Sequence, residues 1–354
     1  RLFGSFLMES TISLIDRLEN EHCLDKNEYK ALILSNDAGV NEYLRQRADA
    51  VRKHLYGDRV FIRGLIETGN ICRNDCYYCG IRASNGKCER FRLTRGDILP
   101  CCEAGYALGF RTFVMQSGEG SLTVDEICDT VRSIKEAYPD CAVTLSLGEY
   151  GARDYERMYR AGADRYLLRH ETADKEHYKK LHPPAMSFER RMECLMKLKS
   201  IGFQVGCGFM VGSPYQSIDS LTLDLKFIES FSPDMCGIGP FIPHKDTPFA
   251  HFPAGSVELT CKLLSIIRLI KPNILLPATT ALGSLSPDGR EQGLRSGANV
   301  VMPNLSPAAT RKKYSLYNGK LSDGAEAAEG LENLKKRIAA AGYRIVTDRG
   351  DPAK

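Results

Sequence analysis

The chain has 354 residues, about 2.4 times a 150-residue domain, which admits two domains or one large α/β barrel. Hydrophobic residues make up 43% and charged residues 26%, and Lys+Arg exceeds Asp+Glu by 48 − 44 = 4, a composition that suits a soluble globular protein and argues against a nucleic-acid binder. The best apolar run, Leu263 to Leu276, is broken by Arg268 and Lys271, which excludes a membrane span; thirteen cysteines, an odd number in a long chain, exclude a disulfide framework.

In chain order, Phe3 to Leu14 is mildly apolar but contains Glu9 and lacks a basic stretch followed by a cleavage site, so no secretory signal is expected. The reducing cytoplasm is the expected compartment. Leu14, Ile15 and Leu18, then Tyr29, Leu32 and Ile33, recur at helical spacing, and Asn41 to His54 forms a further helix, so residues 1–56 read as a helical cap. Predicted strands follow at Val60–Glu67, Thr112–Gln116, Ala142–Leu147, Arg165–Arg169, Gln204–Met210, Met235–Gly239, Ile274–Pro277 and Asn299–Met302. Predicted helices between them are Arg95–Leu108, Val124–Ala137, Ala152–Ala161, Phe188–Ile201, Ser220–Phe231 and Ser256–Ile270. This alternation predicts an α/β fold, a parallel (β/α)8 barrel of TIM type over residues 57–310. A doubly wound sheet competes, but its Gly-rich dinucleotide loop is missing after strand one, and Gly206, Gly208 and Gly212 have the wrong spacing for one. Residues 311–354, with a helix at Gly324–Ala341 and a segment Tyr343–Val346, are expected to close the barrel as one structural domain.

The strongest chemical signal is Cys72-Arg-Asn-Asp-Cys76-Tyr-Tyr-Cys79, placed where barrel enzymes carry catalytic groups. Three thiolates on one loop can hold three irons of a [4Fe–4S] cluster and leave the fourth open to a small molecule. A structural zinc with a distant fourth ligand, or cysteines that bind nothing, are the alternatives. Gly80 permits a tight turn beside such a site and Tyr78 can shield it.

Alternation puts Phe61, Arg63, Leu65 and Glu67 on one face of strand one, so Arg63 needs a bound anion or an ion pair with Glu67 or another acid. Arg169 and Glu171 share a face at the end of strand four, suited to a carboxylate and to ribose hydroxyls. Thr144 and Ser146 alternate likewise on strand three, and Arg190 opens the next helix. Thr279 and Thr280, in the loop Pro277–Gly283 with Ala281 and Leu282, offer hydroxyls and N–H groups to an anion, or form a plain turn. His170, His177 and His182 step by seven and five, which makes no single ligand face, so His177 and His182 read as structural. No H-E-x-x-H, Walker A or G-x-S-x-G motif is present.

The C-x3-C-x2-C spacing, with Tyr78 before its third cysteine, resembles the radical S-adenosylmethionine (SAM) superfamily. From about Phe61 to Pro307 the chain is similar to the HydE-type maturases of [FeFe] hydrogenases, through CRNDCYYCGIR, FRTFVMQSGEG, VTLSLGE, DRYLLRHETADKEHYKKLHP, VGCGFMVGSPYQ, GIGPFIPHKDTPFA, LPATTALG and GANVVMPNLSP. Biotin synthase and methylornithine synthase are relatives of that family. The resemblance implies a cluster on Cys72, Cys76 and Cys79 whose open iron binds SAM and cleaves it to methionine and a 5′-deoxyadenosyl radical. It implies SAM contacts at Tyr78, Gln116, Ser117, Gly118, Glu119, Thr144, Ser146, Arg169, Glu171 and Arg190. The stretch Gln116–Gly120 would meet the SAM amino group through its backbone, although alone it reads as a β-to-α turn. The implied substrate contacts are Arg63, Thr279, Thr280, Ala281, Leu282 and Tyr314.

The resemblance further implies a small iron–cysteine complex carrying carbon monoxide and cyanide as substrate, processed toward the di-iron subcluster. The implied partners are a one-electron reductant such as ferredoxin or flavodoxin, a GTPase scaffold and the tyrosine-cleaving radical SAM maturase. No cysteine follows Cys261, so the accessory cluster of some family members is not expected. Other functions compatible with the three cysteines are a carbon-skeleton rearrangement, a sulfur insertion with a second cluster on Cys207 and Cys236, or a non-enzymatic iron–sulfur or zinc carrier.

Overall fold

The computed structural model describes residues 2–322 and 328–354, with side chains from residue 10 onward. Helices α1 (Leu2–Glu21), α2 (Lys26–Leu34) and α3 (Ala38–Tyr56) open the chain. Asp25 and Glu28 exchange side-chain and backbone hydrogen bonds in a capping box that starts α2, and Asp37 accepts from Val40 N to start α3. The second helix packs on helix Ile218–Phe231 and the third on helix Val257–Ile270. The cap therefore coats the outer helical layer.

The strands are β1 (Arg59–Ile62), β2 (Gly64–Gly69), β3 (Thr112–Ser117), β4 (Ala142–Ser146), β5 (Arg165–Leu167), β6 (Gln204–Cys207), β7 (Met210–Val211), β8 (Met235–Cys236), β9 (Gly239–Pro240), β10 (Val300–Val301) and β11 (Arg344–Val346). Six run side by side in the order β2-β3-β4-β5-β6-β8, all parallel, and β7 pairs with β9 farther along the same two staves. Parallel bridges Met235↔Leu275 and Pro277↔Val300, then the register Phe61↔Val300, carry the ring back to β1. The eight expected staves thus close into a barrel of (β/α)8 type. The predicted helices Val124–Ala137 and Phe188–Ile201 keep their bounds, and the other four shift by one or two residues.

Two staves depart from expectation. The first breaks at Arg63, because β1 is flanked by β10 and β11, whereas β2 is flanked by β3. The seventh, Ile274–Pro277, forms only single bridges. Pro277 has no N–H to give to a ladder, and Leu276 N donates to the Asn299 side chain (2.9 Å). The expected loop after it is instead a short helix, Thr280–Leu285. Of the expected helix Gly324–Ala341, a 3-10 turn Ala328–Gly330 and helix Leu331–Ala340 are seen, and 324–327 lie outside the described residues. Among the described residues no helix is long and apolar enough to cross a membrane.

Alternation sorts the strand residues into two sets. Ile62, Ile66, Met115, Val143, Leu145, Tyr166, Val205, Cys207 and Cys236 pack outward in the main core with the helices. Phe61, Met235, Leu275 and Val300 face inward and form a separate apolar cluster in the lumen. The residues after β11 run beneath that cluster. Fully buried Arg165 donates to Arg349 O (2.8 Å) and Asp351 Oδ1 (2.7 Å), Ala353 N donates to Tyr56 OH (3.0 Å), and Gly350 lies against the Phe61 ring. The C-terminal segment therefore plugs the floor opposite the rim that carries the cysteines.

Burial works to raise the Asp351 pKa, but hydrogen bonds from Arg165, Gln204 and Arg349 outweigh it and hold the carboxyl well below the usual carboxylate range. A lowered carboxylate stabilises the fold above its unfolded pKa, and that stability is lost as pH falls. Asp351→Asn is expected to cost about 1–3 kcal/mol at pH 7, toward the low end because the carboxyl is partly exposed. Urea unfolding should show that cost shrinking below about pH 4. A cost that stayed the same from pH 7 down to about pH 2 would contradict the pairing.

Candidate active site

The cysteine loop leaves β2 at the C-terminal rim and is fixed by protein contacts alone. Arg73 N donates to Glu119 O (2.9 Å), Tyr77 N to Leu181 O (3.0 Å) and Gly80 N to Leu316 O (2.9 Å). Arg82 binds Asp75 through two nitrogens (2.8 and 2.5 Å), and Arg90 donates to the carbonyls of Asn70, Ile81 and Arg82. Gly80 has no room for a side chain, since a Cβ there would stand 2.2 Å from Ser315 O and 2.4 Å from the His244 ring. Tyr78 is turned to His182, with its hydroxyl 3.1 Å from Nε2.

The three thiols are half-buried, and none of the thirteen cysteines is in a disulfide. Burial pushes each of their pKa values up, Cys79 to about 12, and charge on one thiol raises the next. Three thiolates can coexist there only when cations share their charge, which is the chemistry of an iron–thiolate cluster. Among the described residues no three His, Cys, Asp or Glu side chains converge on one metal ion. A cubane spreads its thiolates over separate irons, which suits three cysteines on one short loop.

Around the loop, the predicted SAM residues fall on the ends of β3, β4 and β5. Gly118 lies under the cysteine loop; a Cβ there would be 2.3 Å from Ile71 O and 2.9 Å from Cys72 Cβ. Ser117 Oγ donates to Gly118 O (2.8 Å), and Gln116 Nε2 reaches Tyr314 OH at 3.4 Å. The Glu119 carboxylate is engaged by Arg73 Nε (2.9 Å) and Glu149 N (2.9 Å). Thr144 is buried with its hydroxyl unpartnered, and Ser146 ends β4 half-buried. Arg169 Nη2 and Glu171 Oε2 lie 3.2 Å apart but are not aligned as a hydrogen bond, and Arg169 Nε has no partner. Glu171 holds a left-handed φ of 66°, a conformation that costs a non-glycine residue about 1 kcal/mol or more. Arg190 is half-exposed and donates to Glu149 Oε2 (3.1 Å).

Below the rim, Arg63 is buried and meets only Met235 Sδ (3.0 Å), with Nε and Nη2 unpartnered. The expected alternative, an ion pair with Glu67 or another acid, is not formed among the described residues. Glu67 binds Lys320 and Asn304 Nδ2 (3.0 Å) instead. Burial, then the nearby Arg165 cation, pushes the Arg63 pKa well down, so the site calls for an anion. Thr279 Oγ1 is buried without a partner, Thr280 and Ala281 begin the short helix beside it, and Tyr314 is buried under Lys320. Leu282 turns away: its side chain is fully buried in the main core, and its N–H is spent on Thr279 O (3.1 Å).

His177 and His182 are held by Pro214 O (3.0 Å) and Tyr178 O (2.9 Å), the structural role expected of them. Cys207 and Cys236 are neighbours in register on β6 and β8, but they point out of the lumen, away from any substrate chamber. Sequence reasoning passed over Arg73, Glu149, Tyr178 and Arg191. The Tyr178 hydroxyl is buried and unpartnered, and the other three knit the rim together. The pair Arg190-Arg191 was the one visible signal, and which of two adjacent arginines turns inward depends on how the helix is set.

A parallel barrel with an open three-cysteine rim and unpartnered polar groups beneath it defines a radical SAM enzyme, and the Radical SAM superfamily model matches residues 66–228. The chain is 45% identical over 309 residues to the [FeFe] hydrogenase maturase subunit HydE of Thermotoga maritima, covering 87% of this chain and 88% of that protein. It belongs to the HydE family of radical SAM hydrogenase maturases, whose cofactors are a [4Fe–4S] cluster and SAM. The crystal structure of methylornithine synthase (PylB) matches with a TM-score of 0.82 at 26% identity, over 94% of this chain and 97% of that one. The maturase HydG shares the fold, with a TM-score of 0.79 at 19% identity over 96% of this chain and 76% of that one.

Proposed function

We propose that Cys72, Cys76 and Cys79 hold the cluster and that the lumen beneath it takes SAM above a small anionic substrate. The observation that carries this reading is the set of buried polar atoms that make no hydrogen bond within the protein, on Arg63, Thr144, Arg169, Glu171 and Thr279, all on the ends or inner faces of the staves. Such atoms are costly unless a ligand meets them. When bound, the cluster supplies the electron that cleaves SAM to methionine and a 5′-deoxyadenosyl radical.

The chain's own residues bind and exclude. Arg169 takes the SAM carboxylate, joined by Arg190 once it leaves Glu149, and Glu171 and Ser146 accept or donate to ribose hydroxyls. The Gly118 backbone approaches the amino group. Arg63, Thr279, Thr280 and Tyr314 face the substrate, a low-molecular-weight iron–cysteine complex bearing carbon monoxide and cyanide. The C-terminal plug and the apolar floor keep water from the lumen, which protects a radical that abstracts hydrogen from whatever it meets. The enzyme works beside other maturation proteins, a GTPase scaffold and the tyrosine-cleaving maturase, and takes electrons from a ferredoxin or flavodoxin in the cytoplasm.

The test is anaerobic reconstitution followed by SAM and a strong reductant, with 5′-deoxyadenosine measured by chromatography. Product is expected; none from a protein with a verified reducible cluster overturns the reading. Arg169→Ala should weaken SAM binding by about ten- to a hundredfold, read from the change SAM makes in the spectrum of the reduced cluster. Unchanged affinity would remove Arg169 from the site.

A further inference from the structure

Behind the cysteine loop lies a continuous ionic frame. Arg73, between the first two cluster cysteines, donates to Glu119 Oε1 (2.9 Å) and to Glu149 O (2.7 Å). The Glu149 N–H returns to Glu119 Oε2 (2.9 Å). The Glu149 carboxylate receives Arg191 Nε at 2.6 Å, and Arg191 Nη1 donates to Arg169 O (2.9 Å). One chain of bonds thus links the cysteine loop, the loops after β3 and β4, and the end of β5. Arg191 and Glu149 are both buried, their side chains each about 10% exposed, so their charges are poorly screened. The ion pair of Arg191 and Glu149 is joined through Arg73 to the segment between Cys72 and Cys76.

We propose that Arg191 and Glu149 are positioning residues of the SAM reaction, which hold Arg169 in place and set the reduction potential of the cluster bound at Cys76. This rests on the site reading above. The physical reason is that Arg191 spends one nitrogen on the carbonyl of Arg169, so the backbone carrying the SAM-binding guanidinium cannot drift. Its Nε binds Glu149, which carries the pull to Arg73 inside the cysteine motif. A buried cation beside a cluster favours its reduced form and a buried anion opposes it, because cluster potentials follow local charge and hydrogen bonding.

The experiment measures midpoint potential and SAM affinity in reconstituted full-length R191Q, R191K and E149Q, each checked for about four irons per chain. R191Q is expected to move the potential down and weaken SAM binding about tenfold. E149Q is expected to move the potential up. R191K keeps the charge and the potential, but loses SAM affinity because one ammonium nitrogen cannot occupy the positions of both Nε and Nη1, which bind Glu149 and the Arg169 carbonyl. A purely structural role would shift potentials in one direction or not at all. Unchanged potentials, or shifts of the same sign in R191Q and E149Q, overturn the proposal. Should R191Q not load iron, an unchanged potential in E149Q overturns it equally. A wild-type protein that takes no reducible cluster overturns the site reading itself and this inference with it, whereas a reducible wild type with unaltered variants overturns this inference alone.

Discussion

Cys76→Ala is expected to abolish 5′-deoxyadenosine formation while leaving the barrel folded. Cys76 is the middle one of the three proposed ligands, and its thiol lies in the half-buried pocket of the loop, 3.7 Å from Met186 Sδ. Alanine removes the sulfur and keeps the backbone, which is held from outside: Tyr77 by Leu181, Gly80 by Leu316, Asp75 by Arg82. None of these contacts needs metal, so the loop keeps its path in the variant. Two thiolates cannot retain three irons of a cubane, and iron per chain should fall well below about four. The far-UV spectrum and the unfolding transition of the metal-free forms should stay close to wild type, because a Cys→Ala change at a half-buried site removes little packing. Anaerobic iron analysis and chromatography decide the matter. Full iron and full product in the variant would show that Cys76 is not a ligand.

The parts of this site that sequence reached were those carried by local pattern. Eight staves follow from strand–helix alternation, and the inward face of Arg63 follows from the two-residue period alone. What alternation could not reach was the partner of an inward residue. Arg63 and Glu67 share a face, yet Glu67 is taken by Lys320, which arrives from 253 positions away. The same holds at the floor, where Arg165 is neutralised by Asp351 from the far end of the chain. The seventh stave was legible as an apolar run but not as a bridged one, because the bond that replaces its ladder comes from the side chain of Asn299. The frame of Arg73, Glu119, Glu149 and Arg191 was invisible for a related reason. Each residue sits on a different loop or helix, and only the closed ring brings the four together.

Gly118→Ala carries the second large effect, and here the cause is space rather than ligation. Gly118 N donates to Gly69 O (2.9 Å), which draws the turn after β3 tightly beneath the start of the cysteine loop. The added methyl would stand 2.3 Å from Ile71 O and 2.8 Å from Ile71 C, far inside van der Waals contact. Both obstacles are backbone, so no side chain can swing aside, and relief requires the loop to lift with Cys72, whose Cβ is 2.9 Å away. A displaced first cysteine and a displaced Gly118 backbone strike the cluster and the SAM amino group together. Loss of at least about tenfold in SAM affinity or in cluster occupancy is expected, since each amounts to more than about 1.4 kcal/mol of strain or lost bonding. Gly86→Ala is the control. It lies on the same excursion between β2 and β3, is exposed, and has nothing within 4 Å of an added Cβ, so it should match wild type in iron, SAM binding and product. If Gly118→Ala behaved like Gly86→Ala, close backbone packing beneath the cysteines would have no part in building the site.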